Sequence, residues 1–169
     1  KPRNPSVNNY VLSKYMSELI TEQHRDKYSI IDVRISNVYG PTRLMRPDIV
    51  PSVIWSLIAG QDTSVWTKKP KRDFIFVDDA VDAVMKLLDT SFSGPVNLGS
   101  GISSSVGDIC SKLESLTGIN ISDQEMSVPG HMEFVQDINL IKSIINWTPK
   151  KSLNEGLEIT FHKMNEYFK

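Results

Sequence analysis

Two residues four positions apart, Tyr10 and Lys14, could carry out proton chemistry together. If the segment around them is helical, both side chains lie on one face of the helix, one turn apart. A positive ammonium group beside a phenol stabilises the phenolate, so a tyrosine in this setting can give or take a proton near neutral pH. On this pair alone, an ordinary solvated helix surface is the commoner interpretation, and the hypothesis needs support from the rest of the chain.

A predicted helix and a predicted strand would position this pair. Residues 6–26 carry a loose apolar stripe, which predicts a helix with the pair to one side of it. Residues 29–36 contain four β-branched residues in six positions, which predicts a strand covered on both faces, as in a parallel sheet. Ligands bind outside the carboxyl ends of such strands, so Asn37 and Tyr39 are placed to touch one. A plain Gly-Pro turn explains the same segment equally well.

The rest of the chain alternates strands and helices. Residues 48–59 predict a helix whose broad apolar face includes Ile49 and Val50. The three lysines of the basic run at 68–72 suit a solvated loop, whereas Arg72 adjoins an apolar strand and suits bidentate recognition of phosphate. Further helices are predicted over 78–89, 106–116 and 154–168, with a short one after Asp137, and further strands over 62–67, 73–77, 95–98 and 119–121.

Other residue types that could carry chemistry have simpler explanations. Cys110 lies on the apolar face of its predicted helix and is expected to be a core residue, not a nucleophile. Gly99-Ser100-Gly101 lacks the Lys-Ser/Thr of a phosphate loop and predicts a tight turn. His131 has no evident metal-ligand partners, so no metal site is predicted.

Composition narrows the function classes. The chain has 169 residues, a net charge of −1 and 40% hydrophobic residues, which is typical of one globular domain. Without a basic excess or a long apolar run, we expect neither nucleic-acid nor membrane binding. One cysteine and no secretory signal at the start suit a cytoplasmic protein. The chain does not begin with Met, as expected if it starts part-way through a larger protein.

Five segments taken together resemble one family. Their order is Tyr-x-x-x-Lys (10–14), Arg-Ile-Ser-Asn-Val-Tyr-Gly-Pro (34–41), Arg-Asp-Phe-Ile-Phe-Val-Asp-Asp (72–79), Asn-Leu-Gly-Ser-Gly (97–101) and Trp-Thr-Pro-Lys-Lys-Ser-Leu-Asn-Glu-Gly-Leu (147–157). This order resembles the C-terminal part of the extended short-chain dehydrogenases/reductases, in the NAD-dependent sugar-nucleotide epimerase/dehydratase group. The resemblance covers essentially the whole chain.

The resemblance implies an α/β chain: the C-terminal portion of a Rossmann-like doubly wound fold, with a small α/β substrate-binding subdomain. Residues 1–47 would end the dinucleotide-binding domain. Residues 48–169 would form mainly the substrate-binding subdomain, with strands and helices returning to the Rossmann core. Homodimerisation in the intact protein, through a helix bundle that includes the Tyr-Lys helix, is also implied.

The same resemblance implies a role for each candidate residue. Tyr10 would be the catalytic acid/base and Lys14 its partner, and both would also contact the NAD or NADP cofactor. The phenolate would take a hydroxyl proton while hydride passes from a sugar carbon to NAD. The other implied contacts are Tyr39 beside the nicotinamide, Asn37 and Arg72 on the diphosphate of a nucleotide-sugar, and Ile49 and Val50 near its base.

Two departures from the family pattern bear on function. The Gly-x-x-Gly-x-x-Gly fingerprint and the Ser or Thr that normally precedes the Tyr-Lys motif are absent, so the cofactor would be bound mainly by an N-terminal half that this chain lacks. We therefore expect a fragment that is inactive alone, with the strand at 29–36 left with an unpaired edge. Many relatives also carry Arg and Asp at the positions of Val128 and His131, and that Arg grips the diphosphate.

Three functions remain open. The first is the C-terminal part of an NAD(P)-dependent nucleotide-sugar epimerase/dehydratase. The second is an NADPH-dependent reductase of a non-nucleotide substrate, which the missing Arg at 128 favours. The third is a non-catalytic member that keeps the fold to bind a ligand or a protein, which the presence of both Tyr10 and Lys14 disfavours.

Overall fold

The computed structural model describes residues 9–168, an α/β arrangement in which most helices follow a strand. The helices are α1 (Asn9–Glu22), α2 (Ile49–Ile58), α3 (Val77–Leu88), α4 (Val106–Thr117), α5 (Asn139–Ile145) and α6 (Leu153–Tyr167). The strands are β1 (Ile31–Ile35), β2 (Asn37–Tyr39), β3 (Ser64–Val65), β4 (Lys71–Phe76), β5 (Gly94–Leu98), β6 (Ser103–Ser105), β7 (Ser122–Asp123) and β8 (Glu133–Phe134).

The strand pairings are mostly parallel, as the sequence predicts. β1 pairs with β5, β2 pairs with β4, and β3 pairs with β7, all in parallel. β4 also pairs with β6 in antiparallel and with β8 in parallel orientation. Within residues 9–168, β5 is the sole strand partner of β1, so the unpaired edge predicted for this strand is present.

Two buried clusters form the core. One joins α2, α4 and α6 around β2 and β4 and includes Tyr39, Ile54, Ile109 and Leu157. The other joins α3 and α5 to β1, β4 and β5 and includes Trp147. Strands and helices late in the sequence thus pack against β1. The division into a dinucleotide-binding part before residue 48 and a mainly substrate-binding part after it stays a prediction.

Local signals explain the ends of α4. The Ser105 hydroxyl accepts a hydrogen bond from the Asp108 amide, and the Asp108 carboxylate accepts one from the Ser105 amide, which makes a capping box. Gly118 ends the helix with a φ of 70°, a conformation that glycine adopts without steric cost. Cys110, on the inner face of α4, is fully buried, as predicted, and burial raises the pKa of its thiol to about 11.

Several predicted boundaries are wrong where long-range pairing decides. Asn37–Tyr39, predicted to be the start of a loop, is a strand because β4 lies beside it. The predicted strand at 119–121 falls instead at Ser122–Asp123, against β3. α3 begins at Val77 without a side-chain cap, and Asp79 instead accepts a hydrogen bond from the Lys151 amide at 2.9 Å.

The helix predicted over 6–26 is present as α1, although residues 6–8 lie outside the described part of the chain. α1 has no buried residue. Its exposed apolar side chains include Leu12, Met16 and Ile20. No helix within residues 9–168 has the length and apolarity needed to cross a bilayer.

Candidate active site

An open cavity of about 1120 Å³ lies where β1 passes into β2. Its wall is formed by the β1–β2 junction, the loop at 41–48, α2, the residues around β3, the first half of β4 and the segment 128–129. Six of the seven predicted site residues line it: Tyr10, Asn37, Tyr39, Ile49, Val50 and Arg72. Lys14, the seventh, is outside the lining.

Tyr10 and Lys14 lie on one face of α1, as their spacing predicts. The Lys14 Nζ atom lies 5.5 Å from the centre of the Tyr10 ring. The Tyr10 side chain is 69% exposed, so its hydroxyl is accessible to a ligand in the cavity. Lys14 forms no ion pair with any residue in the range 9–168, so its ammonium group is available to a ligand.

Asn37 and Arg72 lie on neighbouring strands. Asn37 is opposite Phe74 in the β2–β4 pairing, so Arg72, two residues earlier on β4, is close to the β1–β2 junction. The Arg72 guanidinium donates to the carbonyls of Lys71 at 2.7 Å and Met132 at 3.4 Å. It has no carboxylate partner among residues 9–168. A guanidinium held by carbonyls keeps its full charge for an anion.

The carboxylate of Asp73 holds this end of β4 in place. It is 1% exposed and accepts hydrogen bonds from the Ser100 amide and hydroxyl, each at 2.7 Å, and from the Gly101 amide at 3.0 Å. The Ser36 hydroxyl and the Gln136 amide donate to it at 3.3 Å. The glycine turn at 99–101 therefore binds a protein carboxylate, which agrees with its interpretation as a turn and not as a phosphate loop.

Tyr39 is the predicted site residue whose surroundings fit its predicted role least. Its side chain is 5% exposed, its ring packs edge-on against Phe74 and Phe76, and its hydroxyl donates to the Leu153 carbonyl at 3.3 Å. Burial raises the pKa of this hydroxyl, and the charges of Asp79 and Glu155 raise it further. We therefore assign the Tyr39 hydroxyl no part in proton transfer.

Ile49 and Val50 differ in what they can offer a ligand. Both belong to the first turn of α2 and line the cavity. Ile49 is partly buried and can contact a ligand with its side chain. Val50 is 1% exposed, so its side chain belongs to the core behind the wall and contributes mainly shape.

Sequence reasoning missed two lining residues with evident binding chemistry. Trp66 follows β3, borders the cavity and is 64% exposed, so its indole offers a stacking surface. An exposed tryptophan just before a basic run is the signal that could have identified it. Arg46 also lines the cavity, and its Nε atom lies 3.0 Å from the Asp48 carboxylate.

Comparisons with known proteins identify the family of the chain. The model of the NAD dependent epimerase/dehydratase family matches residues 1–99. The chain is 27% identical over 161 residues to a dTDP-4-dehydro-6-deoxy-D-allose reductase from Streptomyces. This match covers 90% of the chain and 49% of that protein. It is 30% identical over 149 residues to UDP-glucuronic acid decarboxylase 5 of Arabidopsis thaliana, with 83% and 43% covered. The chain thus spans about half the length of the curated relatives it matches.

Solved structures share the fold. The UDP-glucose 4-epimerase of Thermotoga maritima superposes with a TM-score of 0.85 at 23% identity, over 96% of this chain and 55% of that one. The UDP-glucuronic acid 4-epimerase of Bacillus cereus, in complex with UDP-glucuronic acid and NAD, superposes with a TM-score of 0.83 at 22% identity, over 98% and 58%. The predicted Rossmann-like α/β class is confirmed.

Proposed function

Because the chain belongs to the NAD-dependent epimerase/dehydratase family, as its five motifs predict, we propose that it forms the substrate side of an NAD(P)-dependent enzyme acting on a nucleotide-sugar. The observation that supports this most strongly is the convergence of Tyr10, Asn37 and Arg72 on one cavity. These residues come from a helix and two strands, and together they offer a proton-transfer group, an amide and an unpaired cation.

Each residue has a definite task in this proposal. Arg72 and Asn37 hold the diphosphate, Arg72 through its fork of donors. Tyr10 takes a proton from a sugar hydroxyl as that carbon is oxidised, and Lys14 stabilises the phenolate. Ile49 and Trp66 line the same cavity and would contact the base. Whether the sugar is then epimerised, dehydrated or reduced depends on groups beyond these.

The residues present also fit a nicotinamide cofactor at the Tyr10–Lys14 face. When bound, such a cofactor supplies the hydride acceptor. The accessible ammonium group of Lys14 is a suitable donor to its ribose hydroxyls. Because no Gly-x-x-Gly-x-x-Gly fingerprint occurs in this chain, we propose that most contacts with the cofactor come from another part of the full-length protein, and that the isolated chain is inactive.

A reductase of a substrate without a diphosphate is the second candidate. It is favoured by Val128, an apolar residue that lines the cavity where the resemblance leads one to expect an arginine. Against it, Arg72 lines the same cavity and has no carboxylate partner among the described residues. An apolar residue at position 128 removes one expected diphosphate-binding cation, but Arg72 keeps the other. Nucleotide binding would then be weaker but not lost, so we favour the nucleotide-sugar.

We propose further that the intact protein is a homodimer in which α1 is covered. The apolar side chains of α1 that are between 45% and 58% exposed include Leu12, Tyr15, Met16, Leu19 and Ile20. Light scattering on the full-length protein should give twice the mass of one full-length polypeptide. A monomer would overturn this part of the proposal.

The proposed chemistry is tested by Tyr10→Phe in the full-length protein that carries this sequence. Turnover of UDP-glucose, UDP-glucuronic acid, dTDP-glucose and GDP-mannose is followed with NAD, and any activity found should fall by at least about 10²-fold in the variant. Binding of the same nucleotide-sugar should change little, because the phenyl ring is retained. Unchanged turnover would exclude Tyr10 as the acid/base. Tyr28→Phe, at another exposed tyrosine, is the matched control.

A further inference from the structure

A bidentate ion pair joins α1 to β1 on the same helix face that carries Tyr10 and Lys14. The Nε and Nη2 atoms of Arg34 donate to the two carboxylate oxygens of Glu18, at 2.8 and 2.6 Å. Glu18 follows Lys14 by four positions, as Lys14 follows Tyr10, so the three side chains lie along one face of α1. The direction in which Glu18 points therefore fixes the direction in which Tyr10 points.

Little else in α1 can set its rotation by packing. The helix has no buried residue, so no apolar side chain inserts into the core and holds it at one angle. A second polar anchor lies near its end, where Asp32 of β1 accepts from the Thr21 hydroxyl at 2.9 Å and pairs with Arg25. Two anchors at different heights on the helix define both its position along β1 and its rotation.

The strand end of this ion pair leads directly into the cavity. Arg34 lies outside the lining, but the next three residues of the chain, Ile35, Ser36 and Asn37, all belong to it. The pair thus ties the helix that carries the proton-transfer group to β1, the strand that ends two residues before the proposed diphosphate-binding amide of Asn37. Hydrogen bonding to Arg34 also lowers the pKa of Glu18, so the carboxylate is charged at neutral pH.

We propose that Glu18 and Arg34 are positioning residues, which hold Tyr10 at the distance from the bound sugar that proton transfer requires. This inference rests on the proposed function. The pair is partly exposed, with Glu18 at 29% and Arg34 at 49% side-chain exposure, so its contribution to global stability is small. A small displacement of a reacting group, by contrast, can cost about 10²-fold in rate.

The test measures kcat and KM in the full-length protein with the nucleotide-sugar that the wild type converts. Glu18→Gln and Arg34→Gln should each lower kcat by about 10- to 100-fold and leave KM within about threefold, because neither residue lines the cavity. In the variant with the pair reversed, Glu18→Arg with Arg34→Glu, kcat should be at least about tenfold higher than in the single variants. Glu158→Gln, which breaks the exposed Lys112–Glu158 pair between α4 and α6, is the control and should leave both constants unchanged.

Three results would overturn the inference: wild-type kcat in both single variants, a rise in KM with kcat unchanged, or no recovery in the reversed pair. If Arg34→Gln fails to fold, Glu18→Gln, on a helix that has no buried residue, still decides. Tyr10→Phe separates the proposed function from the positioning role. Wild-type turnover in Tyr10→Phe contradicts the proposed function, whereas loss in Tyr10→Phe with wild-type kcat in Glu18→Gln contradicts the positioning role alone.

Discussion

Arg72 and its neighbour Asp73 show how two charged residues in sequence acquire opposite tasks. The Asp73 carboxylate is buried and meets hydroxyl and amide donors from three other segments. The Arg72 guanidinium, one residue earlier on the strand, is directed to the other side and meets only carbonyl oxygens among residues 9–168. The alternation of a strand thus gives one charge to the structure and leaves the other to a ligand.

Arg72→Ala should weaken binding of a nucleotide-sugar to this chain by about 10- to 100-fold, because a charge-assisted hydrogen bond to the diphosphate is lost. Arg72→Lys should recover only part of the affinity, since a lysine cannot form the bidentate fork. Isothermal titration calorimetry gives the dissociation constants. Lys69→Ala, at an exposed lysine of the same basic run, is the matched control. Equal losses for the two alanine variants would show that the site reads only general positive charge.

Asp73→Asn should destabilise the chain by about 2 kcal/mol or more. The new side chain replaces one carboxylate oxygen with an NH2 group, which cannot accept a hydrogen bond. At least one of the five donors that now point at the carboxylate would then stay buried without an acceptor. Urea denaturation followed by far-UV circular dichroism measures the free energy of unfolding. Asp78→Asn, at an exposed position in the first turn of α3, should change it by no more than about 0.5 kcal/mol. The idea fails if the two variants are equally stable.

At the scale of elements, helices were predictable where their signals are local. Both ends of α4 have local signals in the sequence: Ser105 and Asp108 form the capping box at its start, and Gly118 ends it. The three residues of β2 carry no comparable signal, because their strand conformation depends on β4, more than thirty positions later. The interaction of Asp79 with the Lys151 amide joins residues still further apart in sequence, and no local signal predicts it.

The candidate site, like the helices, was predictable where the signal lies in the sequence itself. Residue type and order predicted Tyr10, Asn37 and Arg72 as site residues, and the structure brings them to one cavity. The environment of Tyr39 could not be predicted, because the core around its ring is completed by Phe76 and by Leu153 at the start of α6. Trp66 was missed because its exposure cannot be read from residue type alone.

The contacts of Glu114 in α4 with Ile121 and Lys68 should make stability sensitive to acid. Glu114 accepts from the Ile121 amide at 2.8 Å and pairs with Lys68 at 3.2 Å, and both interactions lower its pKa. A carboxyl group whose pKa is lower in the folded state stabilises that state above its unfolded pKa of about 4.3, and this stability is lost as the pH falls through the folded pKa.

The stability difference between the wild type and Glu114→Gln should therefore shrink as the pH is lowered from about 6 to about 3. Denaturation curves at several pH values measure this difference. Glu125→Gln, at an exposed glutamate in the following loop, serves as the control. A difference that stays constant with pH would show that the Glu114 charge makes no contribution.

At the scale of the whole molecule, this chain combines a cavity, proposed to bind the substrate, with a helix, α1, that has no buried residue and contributes Tyr10 to the cavity lining. The cavity has protein walls from α2, β3, β4 and the 41–48 loop. α1 is exposed along its length, and β5 is the single strand partner of β1 within the described chain. A molecule built in this way should hold a nucleotide-sugar better than a dinucleotide, since the groups proposed for the diphosphate are all on the cavity side.

The measurement that tests this most directly is a calorimetric titration of the purified chain with UDP-glucose, dTDP-glucose and GDP-mannose, in parallel with NADH. We expect saturable binding of at least one nucleotide-sugar and no saturable binding of NADH. Saturable binding of NADH, with none of the three nucleotide-sugars bound, would contradict this expectation.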